Sequence, residues 1–359
     1  MNQPRWSGAR FGEIRRGGQK LAKIQPFSRQ LDFQTMRVLR QAPEKAETSV
    51  ALTIGNFDGV HLGHRTMLKR LVDVARSKNL AAAVMTFEPQ PQEFFAPDQA
   101  PARLASLREK LELLDASGVD TVFVCRFDYR MAQISANDFV ARIVHKALGT
   151  KWLLVGDDFR FGARRSGNFD LLMSLAPRYG YEVEATRSIL HEGTRVSSTA
   201  VRARLEAGDL DGAAALLGRR YSICGRVERG DGIGTGFGYP TANVRLNRLK
   251  APLAGIFVVE VEGLSDRALP AVASLGVRPT VTSRGRAVLE VHLFDFNRDI
   301  YGQRVRVRFL SKLRNEAKFA SVDDLVLQMD RDAALARDYF RTHGVSLPMG
   351  KQSGGRDTR

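Results

Sequence analysis

"GNFDGVHLGH", Gly55 to His64, sets three glycines, two histidines and one aspartate directly after the apolar run "SVALTI". A buried strand that ends in so flexible and polar a turn leaves room for a ligand. Glycine lets backbone approach a bound molecule closely, and the free N–H groups at a helix start favour a phosphate. The next stretch, "RTMLKRLVDVARS", reads as a helix with Leu68, Leu71, Val72 and Ala75 on one face. His61 and His64 stand three apart near its start, where both can face the same phosphate chain. An ordinary Gly-rich turn accounts for any lone glycine pair; it accounts less well for two histidines at this spacing.

Outward from this turn, strands and helices alternate. "SVALTIGNF" and "AAAVMTFEP" read as strands and "LREKLELLDASG" as a helix ending at Gly118. "TVFVCRF" is a further strand, "SANDFVARIVHKAL" a helix capped by Ser135, and "KWLLVG" another strand. Such alternation implies right-handed crossovers and a mostly parallel sheet covered on both sides, which is an α/β domain. Ligands of such sheets bind beyond the carboxyl ends of the strands, where Gly55 to His64 lies. After "GDLDGAAALLGRR", a short helix closed by Gly218, the pattern changes. "YSICGRV", "GIFVVEVEG", "LPAVASLG", "VLEVHLFDF" and "RVRVRFL" are short strands between Gly and Pro turns, with one long helical pattern after Ser321. That sequence of elements predicts an all-β, closed or nearly closed barrel with a helical cap. Each half is expected to carry its own apolar core, with the division near Gly218 to Arg220.

Composition bounds the rest. A chain of 359 residues with 43% hydrophobic content is long and apolar enough for two domains. No run reaches the roughly 20 apolar residues of a membrane span. Residues 1–35 are basic, without the apolar core of a secretory signal, and are expected to be a disordered extension dispensable for function, as is a flexible tail over 342–359. Cys125 and Cys224 are far apart and in no metal-ligand spacing, which fits a reducing, cytoplasmic setting. A net charge of +16 implies anionic partners without choosing among nucleic acid, lipid and phosphorylated small molecules.

The residues carry a resemblance that does choose. "GNFDGVHLGH" resembles the HxGH signature of the nucleotidyltransferase superfamily, and Phe57, Asp58 and Gly59 ahead of the histidines narrow it to the bacterial bifunctional riboflavin kinase/FAD synthetase family. "TFEPQPQEFF", "VGDDFRFG", "RVSSTAVR" and "GYPTANV" resemble later motifs of that family, as does "LEVHLFDFNRDIYGQRVRVRFLSKLRNEAKF". Together they cover about Met36 to Arg337. The resemblance implies a Rossmann-like FMN adenylyltransferase domain over 36–218 and a riboflavin kinase barrel with a terminal helix over 219–341. It implies that ATP phosphorylates riboflavin to FMN, that a second ATP adenylylates FMN to FAD with release of pyrophosphate, and that Mg2+ assists. The expected partners are small molecules, with no nucleic acid or membrane, and the expected state is a monomer or weak homo-oligomer.

Site residues follow from the matched motifs. In the first domain His61 and His64 are the candidate catalytic groups, and Gly55, Asn56, Phe57, Asp58, Gly59 and Gly63 the candidate ATP loop. Ser197, Ser198 and Thr199 precede a helix, where hydroxyls and free amides bind phosphate and Arg202 adds charge; an N-cap cluster explains them equally well. Asp157, Phe159, Arg160 and Phe161 suit stacking on a flavin, although core packing is the commoner fate of paired phenylalanines. In the barrel the resemblance assigns Gly234, Gly238, Pro240, Thr241 and Asn243 to ATP, Thr241 and Asn243 to the metal, Glu290 to the general base, and Arg314, more weakly, to the flavin. Alternation along "VLEVHLFDF" puts Leu289, Val291 and Leu293 on one face and Glu290, His292 and Phe294 on the other. The chain departs from the family pattern at Gln90, Thr235 and Ser274; Gln90 in place of a histidine cannot become cationic. An RNA-binding or tRNA-modifying protein is the competing class, because HxGH also occurs in synthetases, but it leaves the barrel motifs without a role.

Overall fold

The computed structural model describes residues 36–230, 239–246, 248, 250–277 and 287–343. The extension over 1–35, most of the tail, Gly234, Thr235 and Gly238 lie outside these residues. The first half holds six strands, β1 Arg37–Leu39, β2 Val50–Ile54, β3 Ala81–Glu88, β4 Thr121–Arg126, β5 Thr150–Gly156 and β6 Glu182–Thr186. They form one all-parallel sheet in the order β1-β4-β3-β2-β5-β6. Every residue of β2 is buried, because this central strand is covered on both faces. Around the sheet run α1 Leu62–Ser77, α2 Pro91–Phe95, α3 Leu107–Asp115, α4 Tyr129–Gln133, α5 Ala136–Asp138 and α6 Phe169–Tyr179. Ser135 caps α5 as expected, and the helix then continues in π geometry over Phe139–Ala147. On α1 the buried stripe is Leu68, Leu71, Val74 and Ala75, so Val74 takes the place expected of Val72, following the i, i+3, i+4 spacing from Leu71.

A short hairpin, β7 Leu190–His191 and β8 Thr194–Arg195, leads through α7 Ser198–Glu206 and α8 Leu210–Leu217 into the second half. There β9 Ser222–Glu228, β10 Ala242–Val244, β11 Gly255–Glu262, β12 Leu269–Val277, β13 Ala287–Leu293 and β14 Arg304–Arg314 close an antiparallel barrel in the order β10-β13-β12-β11-β14-β9. The sequence shows β10 only as part of a motif, since three residues are too few for alternation to register. The last helix, α9 Val322–Thr342, is capped by Ser321 and packs Ala333, Ala336 and Phe340 onto Val258, Phe294 and Leu310 of the barrel wall.

The apolar core does not divide at Gly218. One buried cluster runs from Val201 and Leu205 of α7 and Leu217 of α8 into Ile223, Phe257, Leu289 and Phe309 of the barrel, and also takes in Leu104. A separate cluster joins the parallel sheet to the π-helical segment Phe139–Ala147, with Leu52, Met85, Phe123, Val140 and Leu153. The seam between the halves is polar as well. Arg248 and Glu109, 1% and 4% exposed, pair at 2.5 Å. Arg248 also donates to Tyr221 Oη at 2.7 Å, while Glu109 accepts from the Cys224 N–H at 2.7 Å. Groups buried this deeply need all of these partners, and breaking one such pair typically costs about 3–5 kcal/mol.

A fragment test follows from the shared core. A chain beginning at residue 197, which keeps α7 and α8, should melt at least about 5 °C above one beginning at residue 219, because the shorter chain exposes the barrel residues that those helices cover. Circular dichroism melts of the two fragments decide it; equal melting temperatures would mean that α7 and α8 add nothing to the barrel.

Candidate active sites

Neighbouring strands β2 and β5 send their onward connections to opposite sides of the sheet, which makes the crevice beyond their carboxyl ends the expected ligand position. The two segments singled out in the sequence leave these strands. They meet around a cleft of about 960 Å³ whose lining includes Gly55, Asn56, Phe159, Arg160, Phe161 and Thr199. That volume accommodates a nucleotide beside a flat ring.

The turn after β2 is unusual in its backbone. Phe57, Gly59 and Val60 all have positive φ, at 47°, 79° and 41°. Only Gly59 is at ease there, and a Cβ on it would also lie 2.9 Å from that of Leu104. The ring of Phe57 is buried and tucks against Gly55. Asp58, 2% exposed, accepts from the N–H groups of Leu104 and Ala105 at 3.0 Å and pairs with Arg202 at 2.5 Å. Ser198 Oγ donates to the Asp58 carbonyl at 2.9 Å, and Ser197 caps α7 by accepting from the Ala200 N–H. Phe57, Asp58 and Ser198 therefore spend their side chains on shaping the turn, and Ser197 on the start of α7. Thr199 and Arg202 also line the cleft.

His61 caps α1. Its Nδ1 accepts from the His64 N–H at 3.3 Å, and the two imidazoles stack with centroids 3.7 Å apart and planes 19° from parallel. Gly63 permits this stack, since a Cβ there would sit 3.2 Å from the His61 ring. Burial pushes His61 down to about 4, against the attraction of Asp58 and with help from Arg219 and Arg202. It also holds His64 well below the ordinary histidine range, with His61 and Lys110 adding to the effect. Both rings are thus neutral at pH 7 and act as hydrogen-bonding groups. Among the described residues, His64 Nδ1 is buried with no hydrogen-bond partner. No acidic residue occupies the first turn of this 16-residue helix, so its N-terminus is left for an anion.

A pH prediction follows from the depressed histidine. A residue that is neutral when folded and protonates near 6.5 when unfolded contributes stability that is complete above pH 6.5 and declines as pH falls toward about 4. His61→Asn keeps a capping side chain without that titration. The variant should lose about 3 kcal/mol less than the parent between pH 6.5 and 4. Urea melts across that window check it, and parallel profiles would contradict it.

On the β5 side, Phe159 and Phe161 stack at 5.6 Å. Phe161 is buried, with Gly167 lying flat on its ring, and forms the floor of the cleft. Asp157 turns to Ser188, while Asp158 reaches the cleft lining and pairs with Arg195 at 2.6 Å. The lining also holds residues that the motifs did not assign: Phe87, Phe95, Phe127, Gln92 and Pro101. Phe95 is 66% exposed beside Phe94 and Phe127, and together the three rings form an aromatic cluster. Gln90 starts α2 with its Nε2 buried and, among the described residues, without a hydrogen-bond partner.

In the barrel, strand register gathers the candidate groups. Glu228, Asn243, Glu290 and Ser274 stand directly across from one another on β9, β10, β13 and β12. Thr241 immediately precedes β10. Leu289, Val291 and Leu293 are buried, with Glu290 and His292 on the other face, as the alternation predicts; Phe294, past the end of the strand, is covered by α9. Gly230 lies against the Asn243 amide, so a side chain there would displace that amide. His292 Nδ1 meets the Pro240 carbonyl at 3.0 Å and holds the start of this segment. Arg314 clasps Asp332 of α9 through both carboxylate oxygens, at 3.0 and 2.7 Å, with Phe319 beneath its guanidinium. A second cleft of about 870 Å³ runs past Gly230, Asn243 and Val288, and shares Ala100 and Pro101 with the first. Among the described residues there is no group of three or more His, Cys, Asp or Glu side chains that could hold a metal ion.

Comparison with known proteins converges on one family. The FAD synthetase model matches residues 43–200 and the riboflavin kinase model residues 217–340. A bifunctional riboflavin kinase/FMN adenylyltransferase of Escherichia coli K12 is 49% identical over 310 residues, covering 86% of this chain and 97% of that protein. The enzyme of the same description from Haemophilus influenzae is 46% identical over 292 residues, covering 81% and 94%. A solved structure described as a macrolide-efflux protein from Streptococcus pneumoniae superposes with a TM-score of 0.71 at 30% identity, over 84% of this chain and 99% of that one. No helix among the described residues is long and apolar enough to cross a membrane.

Proposed function

The chain belongs to the bifunctional riboflavin kinase/FMN adenylyltransferase family, and from that premise we propose how its residues divide the two reactions. The protein phosphorylates riboflavin to FMN with ATP and adenylylates FMN to FAD. The first reaction is assigned to the barrel and the second to the crevice between β2 and β5.

In the crevice no protein nucleophile is required. An FMN phosphate oxygen attacks the α-phosphorus of ATP, the bond to the bridging oxygen breaks, and pyrophosphate leaves with the electron pair. In this reading the α1 amides and the two neutral imidazoles donate hydrogen bonds to the phosphate chain as charge shifts along it. Phe159, Phe95 and Phe127 offer apolar faces for the isoalloxazine ring.

In the barrel, Glu290 takes the proton from the riboflavin hydroxyl as its oxygen attacks the γ-phosphorus, and ADP leaves. A strand-borne carboxylate beside Asn243 is held firmly enough for general-base work. Thr241 and Asn243 are hard oxygen donors, and so small a protein set suits magnesium, which keeps water and phosphate oxygens as its remaining ligands. Bound there, the ion would neutralise phosphate charge. The same reading places the protein in the cytoplasm, where ATP is available and where Cys125 and Cys224, both buried and free, would stay reduced.

The register of Glu290 with Asn243 carries the kinase assignment, and the meeting of the two loops at one crevice carries the other. Incubation with riboflavin and ATP, with and without magnesium, followed by chromatography, tests the scheme. FMN and FAD should both form, and only with the metal present.

A further inference from the structure

The strained turn between β2 and α1 is held from outside its own domain. Positive φ at Phe57 and at the β-branched Val60 costs on the order of 1–3 kcal/mol each, and such conformations persist only where the surroundings impose them. Asp58 secures one side of the turn through Leu104, Ala105 and Arg202. The other side meets Arg219, the first residue after the Gly218 cap of α8. Arg219 Nη2 donates to the Gly59 carbonyl at 2.6 Å, and its Nη1 to the Val60 carbonyl at 3.1 Å and the Leu217 carbonyl at 3.3 Å. The tie is mutual, because Arg65 on α1 donates to the Gly218 carbonyl at 3.2 Å. Directly beyond, Arg220 donates to the Leu310 carbonyl, and Tyr221 is buried in the barrel core.

We propose that Arg219 is a positioning residue for FMN adenylylation: by gripping the Gly59 and Val60 carbonyls it fixes the turn that aims the α1 N-terminus, His61 and His64 at the phosphate chain. Arg219 commits its guanidinium to the Gly59, Val60 and Leu217 carbonyls, so it acts through the turn and not on the substrate. The inference rests on reading Gly55 to His64 as the nucleotide site. It gives the junction between the halves a task in the second reaction, whose residues otherwise lie N-terminal to it. A lysine offers one ammonium where the guanidinium spans two neighbouring carbonyls in a rigid fork, so the site discriminates between the two cations. The charge also helps to keep His61 neutral.

The test uses the full chain with Arg219→Ala, Arg219→Lys and, in parallel, His64→Ala. Losing the two charge-assisted hydrogen bonds should lower kcat/KM for FMN adenylylation roughly 10- to 100-fold in Arg219→Ala, with Arg219→Lys in between. Riboflavin phosphorylation by the same preparations should stay at the parent rate. Added guanidinium ion, below denaturing concentration, should restore part of the adenylylation by Arg219→Ala, and the His61 imidazole should titrate at higher pH by NMR. Arg219→Lys keeps the charge at the seam and so serves if the alanine variant folds poorly. Unchanged adenylylation in both Arg219 variants, while His64→Ala abolishes it, would overturn this inference alone. Equal loss of both activities in step with melting temperature would do the same, reducing Arg219 to a structural link. If His64→Ala leaves FAD formation intact, the reading of the turn as the nucleotide site fails, and this inference with it.

Discussion

Glu290→Gln is expected to remove most conversion of riboflavin to FMN while leaving conversion of supplied FMN to FAD near the parent rate. Glutamine matches glutamate in size and keeps its place opposite Asn243 and Ser274, so the strand register has no reason to change. The neighbours that pack the barrel, Leu289 and Val291, point to the other face and are untouched. What the substitution removes is the basic oxygen. Loss of a positioned general base typically lowers a rate roughly 100- to 10,000-fold. Chromatography with either riboflavin or FMN as the supplied flavin separates the two steps. Equal damage to both, in a protein that still melts normally, would mean that the two reactions do not have separate centres.

Much of this arrangement can be read from sequence because periodicity reports burial. The run from Val50 to Ile54 is apolar throughout, and it becomes the central parallel strand. The alternation around Glu290 separates Leu289 and Val291 from Glu290 and His292, and the strand obeys it. Periodicity is silent where an element is very short or a partner is distant in the chain. β10 has three residues and is visible only through its pairing with β9 and β13. The shared core around Val201, Leu217 and Phe309 depends on contacts across about 100 residues, which no local pattern records. The same holds for the aromatic cluster, where Phe95 at the end of α2 meets Phe127 just past β4 only in the folded chain.

Motif residues divide in a related way. A motif marks which residues a turn contains but not which of them face the ligand. Asp58 and Ser198 belong to the matched stretches, yet their polar atoms fold inward, to Leu104, Ala105, Arg202 and the Asp58 carbonyl itself. Arg314 likewise belongs to a matched stretch and is committed to Asp332. Arg219 carries no motif signal, and only its distances to Gly59 and Val60 reveal its place. Burial explains the histidines too: a sequence shows two groups that titrate near neutrality, whereas the folded turn keeps both uncharged at that pH.

His64→Ala should give the reverse of the Glu290→Gln pattern, with FAD formation reduced roughly 100- to 1,000-fold, the typical loss when one preorganised donor to a developing phosphate charge is deleted. The backbone is expected to survive the change, because the His61 cap accepts from the residue-64 N–H and not from the imidazole. Alanine also suits the first turn of α1 by intrinsic propensity. The stack with His61 and the tilted contact with Phe57 at 5.0 Å are lost, which gives a modest drop in melting temperature and a freer His61 ring. Riboflavin phosphorylation, carried out by the barrel, should proceed at the parent rate and let FMN accumulate without further conversion. Supplying FMN directly would not restore FAD, because the deficit lies in the transfer step and not in flavin supply. Should FAD instead form at the parent rate from a folded His64→Ala protein, the stacked pair would be a packing device at the start of α1, and the phosphate contacts would have to come from the helix amides alone.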